Sequence, residues 1–238
     1  MTWVPLRVHS CFSILAGADR VERIVAAAAA AGLPALALAD TDALHGVVPF
    51  RRACREAGVR PVYGAELTGP WTAGEAGAET PGYPPGRGPA PGGARATLLA
   101  RDAAGYAAIS RLVTRRRCDG EFLLPGALRS LGDDVVVLTD DERVARLLAG
   151  RPWLRIALPT AAGPAWQRRR WRLRRLAAAT GAPAVAAGEV WFVDRGDHLV
   201  HRVLSAIRTR TTIGTLPDGA AAPRESFLPD LSLIHISE

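Results

Sequence analysis

Residues 6–10 read LRVHS, residues 35–42 read ALALADTD and residues 61–66 read PVYGAE. Each is a short apolar run that ends in polar residues, and such a run is typical of a strand buried on both faces. Helical patterns follow the first two runs, and strands that alternate with helices predict parallel βα units. Because functional groups gather at the carboxyl ends of such strands, we expect His9, Asp40 and Glu66 to share one mouth.

The rest of the chain continues this alternation of strands and helices. Seven strands are predicted, most of them followed by a helix: Trp3–Val8, Ala35–Ala39, Val62–Glu66, Ala96–Ala100, Val135–Thr139, Leu154–Leu158 and Ala184–Ala187. The last two helices are predicted over Ala165–Thr180 and His198–Ile207. The pattern as a whole predicts an α/β fold, and the strand count comes from periodicity alone.

Composition bounds the class of protein. The chain has 238 residues, 48% of them hydrophobic, which allows one large domain or two small ones. It contains no continuous apolar run of about 18 residues, so no membrane span is predicted. Its 3 cysteines are odd in number and form no CxxC pair. A disulfide framework or a structural zinc site is therefore not expected, and a reducing, cytoplasmic location fits.

The chain is strongly basic, with a net charge of +7. This charge is compatible with a nucleic-acid partner. All 30 basic side chains counted as Lys or Arg are arginines. Together with the many alanines, this fits GC-rich coding as well as selection for phosphate binding, so charge alone decides little.

Composition also suggests the domain limits. Thr68–Ala94 is rich in Gly and Pro and poor in apolar side chains, which predicts a mobile surface loop. Residues 216–230 show no periodic pattern and are interpreted as the start of a linker, so that the domain covers residues 1–215. Residues 231–238 read LSLIHISE, which resembles a translated sequencing adapter, and we exclude them from the fold.

Three stretches carry a resemblance to a known family: LRVHSCFSILAGA from residue 6, PALALADTDALHGVVPF from residue 34 and GVRPVYGAEL from residue 58. They resemble the opening motifs of the polymerase-and-histidinol-phosphatase (PHP) domain, and more closely that of bacterial DNA polymerase III alpha-type enzymes. The resemblance runs from about Trp3 to about Ile213. It implies a distorted seven-stranded (β/α) barrel with a metal centre at the strand ends.

A further stretch, VLSAIRTRTTI at residues 203–213, resembles the segment that closes the PHP domain in the error-prone branch of these polymerases. The resemblance implies a parent protein that adds nucleotides to a DNA primer in replication or translesion repair. The catalytic carboxylates of that reaction would lie outside this chain. The implied partners are DNA, through the parent polymerase, and other polymerase domains or subunits, with no membrane.

The resemblance also implies a set of metal ligands, in which zinc, manganese or magnesium would be held by histidines and carboxylates. Several implied positions hold other residues: Arg7 for a histidine, Ala16 for an aspartate, Thr41 for a histidine, Arg95 for a histidine, Asp141 for a cysteine, and Glu189 and Trp191 for an aspartate and a histidine. His9, Asp40 and Glu66 remain as candidate ligands. Asp141 and Glu189 are further candidate carboxylates.

The two arginines at ligand positions oppose a bound cation. A unit charge about 4 Å from another contributes roughly 4 kcal/mol at an effective dielectric near 20, and arginine cannot lose its proton to become a ligand. We therefore expect a vestigial site in a non-catalytic scaffold. Three alternatives stay open: a site that still binds one metal, a free-standing PHP phosphoesterase, and a basic barrel that binds DNA or a subunit.

The densest basic run is WQRRRWRLRRLAAATG, residues 166–181. At helical spacing, Leu173 and Leu176 can face the barrel while Arg168, Arg172 and Arg175 point outward. Such a face is usually a solvated helix surface. The alternative is a contact with DNA phosphates or with another subunit, for which the forked donors of arginine are suited.

Overall fold

Eight strands form one mixed sheet in the computed structural model, which describes residues 3–73 and 94–228. The strands run in the order β7-β6-β5-β4-β3-β2-β1-β8 across the sheet. Their bounds are β1 Arg7–Val8, β2 Ala35–Leu38, β3 Arg60–Gly69, β4 Ala94–Ala100, β5 Val135–Thr139, β6 Leu154–Leu158, β7 Ala184–Ala186 and β8 Glu189–Val190.

The two edge strands of the sheet are joined by a very short segment. β7 pairs with β6 at one edge and β8 pairs with β1 at the other, yet only Ala187 and Gly188 separate β7 from β8 in the chain. Because so short a link spans roughly 10 Å, the edges lie close together and the sheet curls towards a barrel. The α/β barrel-type fold is confirmed. The predicted count of seven is corrected to eight, since Glu189–Val190 forms an additional short strand that pairs with β1.

β4 departs from the predicted parallel arrangement. It is antiparallel to both of its neighbours, with Glu66 opposite Thr97 on the β3 side and Leu99 opposite Val136 on the β5 side. The other strand pairs of the sheet are parallel. An antiparallel partner needs no crossover connection, whereas a parallel partner needs about a dozen residues or more, usually as a helix. The strand pattern in the sequence does not indicate whether neighbouring strands are parallel or antiparallel.

Seven α-helices accompany the sheet within the described residues. They are α1 Val21–Ala30, α2 Val47–Ala57, α3 Ala103–Cys118, α4 Leu124–Arg129, α5 Glu142–Leu147, α6 Pro164–Thr180 and α7 His198–Thr209. Short 3₁₀ turns lie at Arg195–Asp197 and Ile213–Thr215. In the part of the chain that is described, none of these helices combines the length and the apolar character needed to cross a membrane.

The helices and the sheet bury separate apolar clusters. One cluster packs α1 and α2 on β1 and β2 around the fully buried Phe50. A larger one packs α3 to α6 on β3 to β6. A third takes side chains from several strands, among them Ala37, Leu99 and Leu138, and so fills the inside of the curl. Burial on both faces explains the continuous apolar runs in the sequence.

The predicted domain limits fall partly within the described residues. β3 continues to Gly69, and residues 74–93 of the predicted mobile loop lie outside the described residues. Within residues 216–228, interpreted above as the start of a linker, the backbone N–H of Leu228 donates to the Phe192 carbonyl at 3.0 Å. The Leu228 side chain is buried in the apolar cluster of α1 and α2. Residues 231–238, excluded from the fold above, also lie outside the described residues.

Candidate functional site

The predicted mouth residues converge at one end of the barrel. Ser13 connects His9 and Asp40, since its Oγ lies 3.4 Å from His9 Nδ1 and donates to Asp40 Oδ1 at 2.7 Å. Glu66 joins them through Thr41, whose Oγ1 donates to Glu66 Oε1 at 3.2 Å. The topology of the sheet therefore brings the ends of β1, β2 and β3 together as the sequence predicted.

Arginines occupy the centre of this mouth. The Nη2 atoms of Arg7 and Arg95 each lie 2.5 Å from Glu189 Oε1. Glu66 Oε2 lies 3.9 Å from Arg7 and 3.7 Å from Arg95. Asp140 Oδ1 lies 3.6 Å from Arg7 Nη2. Oε1 of Glu189 thus contacts both guanidinium groups, and the carboxylates of Glu66 and Asp140 lie nearby.

A third arginine completes the cluster from outside the sheet. Arg169 on α6 donates from Nη2 to Asp140 Oδ2 at 2.6 Å. Arg7 also donates from Nε to Thr97 Oγ1 at 3.2 Å. We call the three arginines and three carboxylates the mouth network: Arg7, Arg95, Arg169, Glu66, Asp140 and Glu189. When all six groups are ionised, the mouth network has no net charge.

The pKa values of the mouth carboxyls follow their arginine partners. Burial alone would raise the pKa of Glu189, but Arg7 and Arg95 hold it below its ordinary value. The pKa of Asp140 is likewise lowered against the effect of burial by the mouth arginines. Burial raises the pKa of Glu66, which Arg95 opposes. Glu189 in turn raises the pKa of Arg95. Glu189 and Asp140 are therefore carboxylates at neutral pH.

His9 is a buried, neutral imidazole beside this network. Burial lowers its pKa to about 3, and its ring stacks on Trp191 with the ring centroids 3.7 Å apart. Ser13 uses its one hydroxyl proton on Asp40, so towards His9 Nδ1 it can only accept. Nδ1 therefore carries the imidazole proton. His9 Nε2 is left with a lone pair and no hydrogen-bond partner among the described residues.

Asp40 is committed to the turn that follows β1. It accepts hydrogen bonds from Ser10 N at 2.6 Å, from Ser10 Oγ at 2.8 Å and from Ser13 Oγ at 2.7 Å. Burial raises the pKa of Asp40, and these serine hydrogen bonds oppose the rise. A carboxylate that already receives three donors has little capacity left for a cation. Its evident role is to fix the loop that carries Ser10 and Ser13.

Asp141 lies outside the mouth network, and its neighbour Asp140 takes the place that the sequence gave to Asp141. Asp141 is the N-cap of α5, where it accepts from Arg143 N at 2.8 Å and pairs with the Arg143 side chain at 3.1 Å. Because β5 ends at Thr139, Asp140 is the first residue after the strand. The position of Asp140 directly after a predicted strand could have been recognised from the sequence. No pattern in the sequence marked Arg169 or Thr97 as residues of the mouth.

The arginines of α6 divide between the mouth and the outer surface. Leu173 and Leu176 are buried against the barrel as predicted. Arg168, Arg172 and Arg175 are all exposed, and the Arg175 guanidinium lies 4.9 Å from the ring centroid of Trp171, which is itself exposed. The predicted outward face of the helix is present. It is separate from the mouth.

The mouth residues do not fit the metal centre that the resemblance implies. Each mouth carboxylate has a guanidinium nitrogen within 4 Å, at 3.7 Å for Glu66, 2.5 Å for Glu189 and 2.6 Å for Asp140. Within the described residues, no three His, Cys, Asp or Glu side chains are grouped so as to hold a metal. The orphaned Nε2 of His9 is a single potential ligand atom, and the neighbouring Glu189 is already paired with Arg7 and Arg95.

Comparisons with known proteins identify the family of the chain. A model of the PHP domain matches residues 5–145. The chain is 32% identical to the error-prone DNA polymerase of Symbiobacterium thermophilum, over 90% of this chain and 21% of that protein. It is 27% identical to the DNA polymerase III subunit alpha of Bacillus subtilis, over 100% of this chain and 21% of that protein.

The chain thus spans about a fifth of the length of the curated relatives it matches. Among solved structures, an amidohydrolase from Chromobacterium violaceum is similar at 13% identity, with a TM-score of 0.48, over 78% of this chain and 86% of that chain.

Proposed function

This chain belongs to the PHP domain family, and from that membership we propose that it is the PHP region of an error-prone DNA polymerase of the DNA polymerase III alpha type. In this role it works in the cytoplasm as part of a longer polypeptide that copies DNA. The centre for nucleotidyl transfer lies elsewhere in that polypeptide. The region itself is a non-catalytic scaffold that contacts other polymerase domains or subunits.

One observation carries the scaffold role: Arg7 and Arg95 both reach Glu189 Oε1 at 2.5 Å. This contact connects β1, β4 and β8, which are distant in the sequence. Through Asp140 and Arg169 the mouth network extends to the end of β5 and to α6. Ion pairs therefore hold the strand ends together where the family's metal centre would. The mouth is a cross-link rather than a reaction site.

The alternative is a free-standing phosphoesterase. Such an enzyme would use a metal to generate its nucleophile from water at neutral pH. Four implied ligand positions hold Arg7, Thr41, Arg95 and Trp191 instead. Trp191 covers the face of His9, and the two arginines neutralise the remaining carboxylates. The alternative is therefore less well supported than the scaffold.

The experiment that tests the proposal is a primer-extension assay of the polypeptide encoded by the whole gene. We expect that polypeptide to extend a DNA primer, and we expect His9→Ala to leave the rate per folded molecule unchanged. A whole-gene product without primer extension, or a rate that collapses in folded His9→Ala protein, would contradict the proposal.

We propose further that the outer face of α6 makes weak contacts with DNA phosphates through Arg168, Arg172 and Arg175. Replacing these three exposed arginines with alanine should weaken binding to single-stranded oligothymidylate. The slope of log affinity against log salt should fall by about 2, because each lost phosphate contact removes about 0.7. Fluorescence anisotropy over a salt series measures both quantities.

The matched control for this measurement is the triple alanine variant of Arg111, Arg129 and Arg224. These arginines are also exposed and lie outside the mouth and α6. The control removes the same formal charge, so its salt slope should stay near that of the unmodified protein. Equal slopes for the two triple variants would show that net charge, and not α6, governs DNA binding.

A further inference from the structure

A groove lies between α2 and α3 on the outside of the barrel, far from the mouth. Its volume is about 1000 Å³, and it is lined by Pro61–Tyr63 at the start of β3 and by Ala100 at the end of β4. Glu66 and Arg95 occupy the opposite halves of these two strands. Pro61 and Glu66 are five positions apart on β3, which corresponds to about 16 Å. The groove is therefore distinct from the mouth network.

The direction of β4 explains why a groove can form here. In a regular βα unit, a helix returns across the outer face of the sheet before the next parallel strand begins. β3 and β4 are antiparallel, so their connection starts and ends at the mouth end of the sheet. The helices that flank the groove belong to the neighbouring units, α2 after β2 and α3 after β4. Both α2 and α3 thus contribute residues to the lining of the groove.

Part of the groove lining is aliphatic and aromatic. Val48 on α2 is 79% exposed, although the exposure of a large aliphatic side chain to water is unfavourable. Tyr63 and Tyr106 are half-buried and meet edge to face, with their ring centroids 6.2 Å apart. Contiguous apolar surface of this kind marks an interaction site.

One wall also carries positive charge. Arg51, Arg52 and Arg55 of α2 line the groove, and their side chains make no ion pair or hydrogen bond with any residue in the described parts of the chain. The acidic residue in the lining, Asp102, is used as the N-cap of α3 and accepts from Gly105 N at 2.9 Å. The three arginine side chains can therefore form ion pairs with acidic groups of a partner.

We propose that this groove docks an amphipathic helix of a partner protein, with an apolar face and acidic residues along one flank. A helix about 10 Å wide that rises 1.5 Å per residue would place roughly eight residues, or about two turns, in the observed volume. Its apolar face would contact Val48 and Tyr106, in the helix-in-groove mode of recognition. Its carboxylates would pair with the α2 arginines. The apolar floor favours a peptide over a nucleic acid, whose interfaces are polar and wet.

The test uses the full chain and a fluorescein-labelled designed peptide of about four helical turns. The peptide has leucines on one face and glutamates along the adjacent flank. A peptide of the same composition in scrambled order and an oligothymidylate are measured beside it. Binding is followed by anisotropy at about 0.15 M salt, where remote surface charges are largely screened.

The protein variants are a triple charge reversal of Arg51, Arg52 and Arg55 to Glu, and Val48→Asp. Both alter exposed positions, and circular dichroism and thermal melting verify that each variant is folded. The triple Arg→Glu variant of Arg111, Arg129 and Arg224 is the control. We expect each groove variant to lower the affinity for the designed peptide at least about tenfold, and the control to retain it.

Four outcomes would overturn the proposal. The designed peptide could fail to bind at concentrations up to about 1 mM. The scrambled peptide could bind as tightly as the designed one, or the control variant could lose as much affinity as the groove variants. Finally, oligothymidylate could bind while the designed peptide does not bind, and the groove variants could abolish the binding of oligothymidylate. The groove would then be a nucleic-acid site.

Discussion

Replacing Glu189 with glutamine is expected to lower the free energy of unfolding by about 3–5 kcal/mol, as is typical when one partner of a buried ion pair is removed. Glu189 Oε1 is the shared acceptor of Arg7 and Arg95, and the Arg7 side chain is only 4% exposed. The amide is nearly isosteric with the carboxylate, so packing is retained. In the variant, Arg7 and Arg95 would face only two carboxylates, those of Glu66 and Asp140. Urea unfolding at neutral pH measures the change.

The control for this prediction is Glu142→Gln. Glu142 pairs with Arg146 on α5, but the two side chains are 65% and 63% exposed. Exposed pairs of this kind contribute about 0.5 kcal/mol or less. The Glu189 variant should therefore unfold at a much lower urea concentration than the control. Equal stability of the two variants would show that the mouth network does not hold the barrel together.

Replacing Asp40 with alanine is expected to lower the free energy of unfolding by about 3 kcal/mol or more, because each buried donor left without an acceptor costs about 1–3 kcal/mol. Three donors from Ser10 and Ser13 would lose their acceptor. Asp40→Asn retains one acceptor oxygen and should be less damaging. The same urea titration measures both variants.

Asp102→Ala is the matched control for Asp40→Ala. Asp102 is exposed and caps α3 with a single hydrogen bond to Gly105 N. Loss of an N-cap costs about 1 kcal/mol. If Asp40→Ala were no more destabilising than Asp102→Ala, Asp40 would not be the structural acceptor described here, and a role as a ligand would regain support.

Strands that are buried on both faces were predicted accurately from the sequence. β5 and β6 have the predicted bounds, Val135–Thr139 and Leu154–Leu158, and β2 differs from its predicted range by one residue. Burial on both faces leaves an uninterrupted apolar run, which is a strong signal in a single sequence. Such a run does not encode the direction of its neighbour, so the antiparallel setting of β4 was missed.

The eighth strand was missed for a different reason. β8 consists of Glu189–Val190 alone, which is too short to show any periodicity. Its status as a strand depends on its pairing with β1, far away in the sequence. The edge where the sheet closes therefore became visible only in three dimensions.

The candidate site, like the sheet, was predicted only in part from the sequence. Strand topology predicted that His9, Asp40 and Glu66 would meet, because the ends of neighbouring strands are close together in space. It did not predict which partner each carboxylate would choose. Arg7 and Glu189 are 182 positions apart in the sequence, and they become neighbours only because β1 pairs with β8. Arg169 enters from a helix that the sequence assigned to the outer surface.

Metal content together with hydrolytic activity distinguishes an ion-paired mouth from a metal centre. The purified chain is equilibrated with zinc or manganese, dialysed, and measured by elemental analysis, then assayed on single-stranded DNA and on a phosphomonoester. The mouth network predicts no tightly bound stoichiometric metal and no turnover, because fixed guanidinium charges occupy the ligand positions. Two or more tightly bound metals per chain, with turnover that His9→Ala abolishes, would contradict the account.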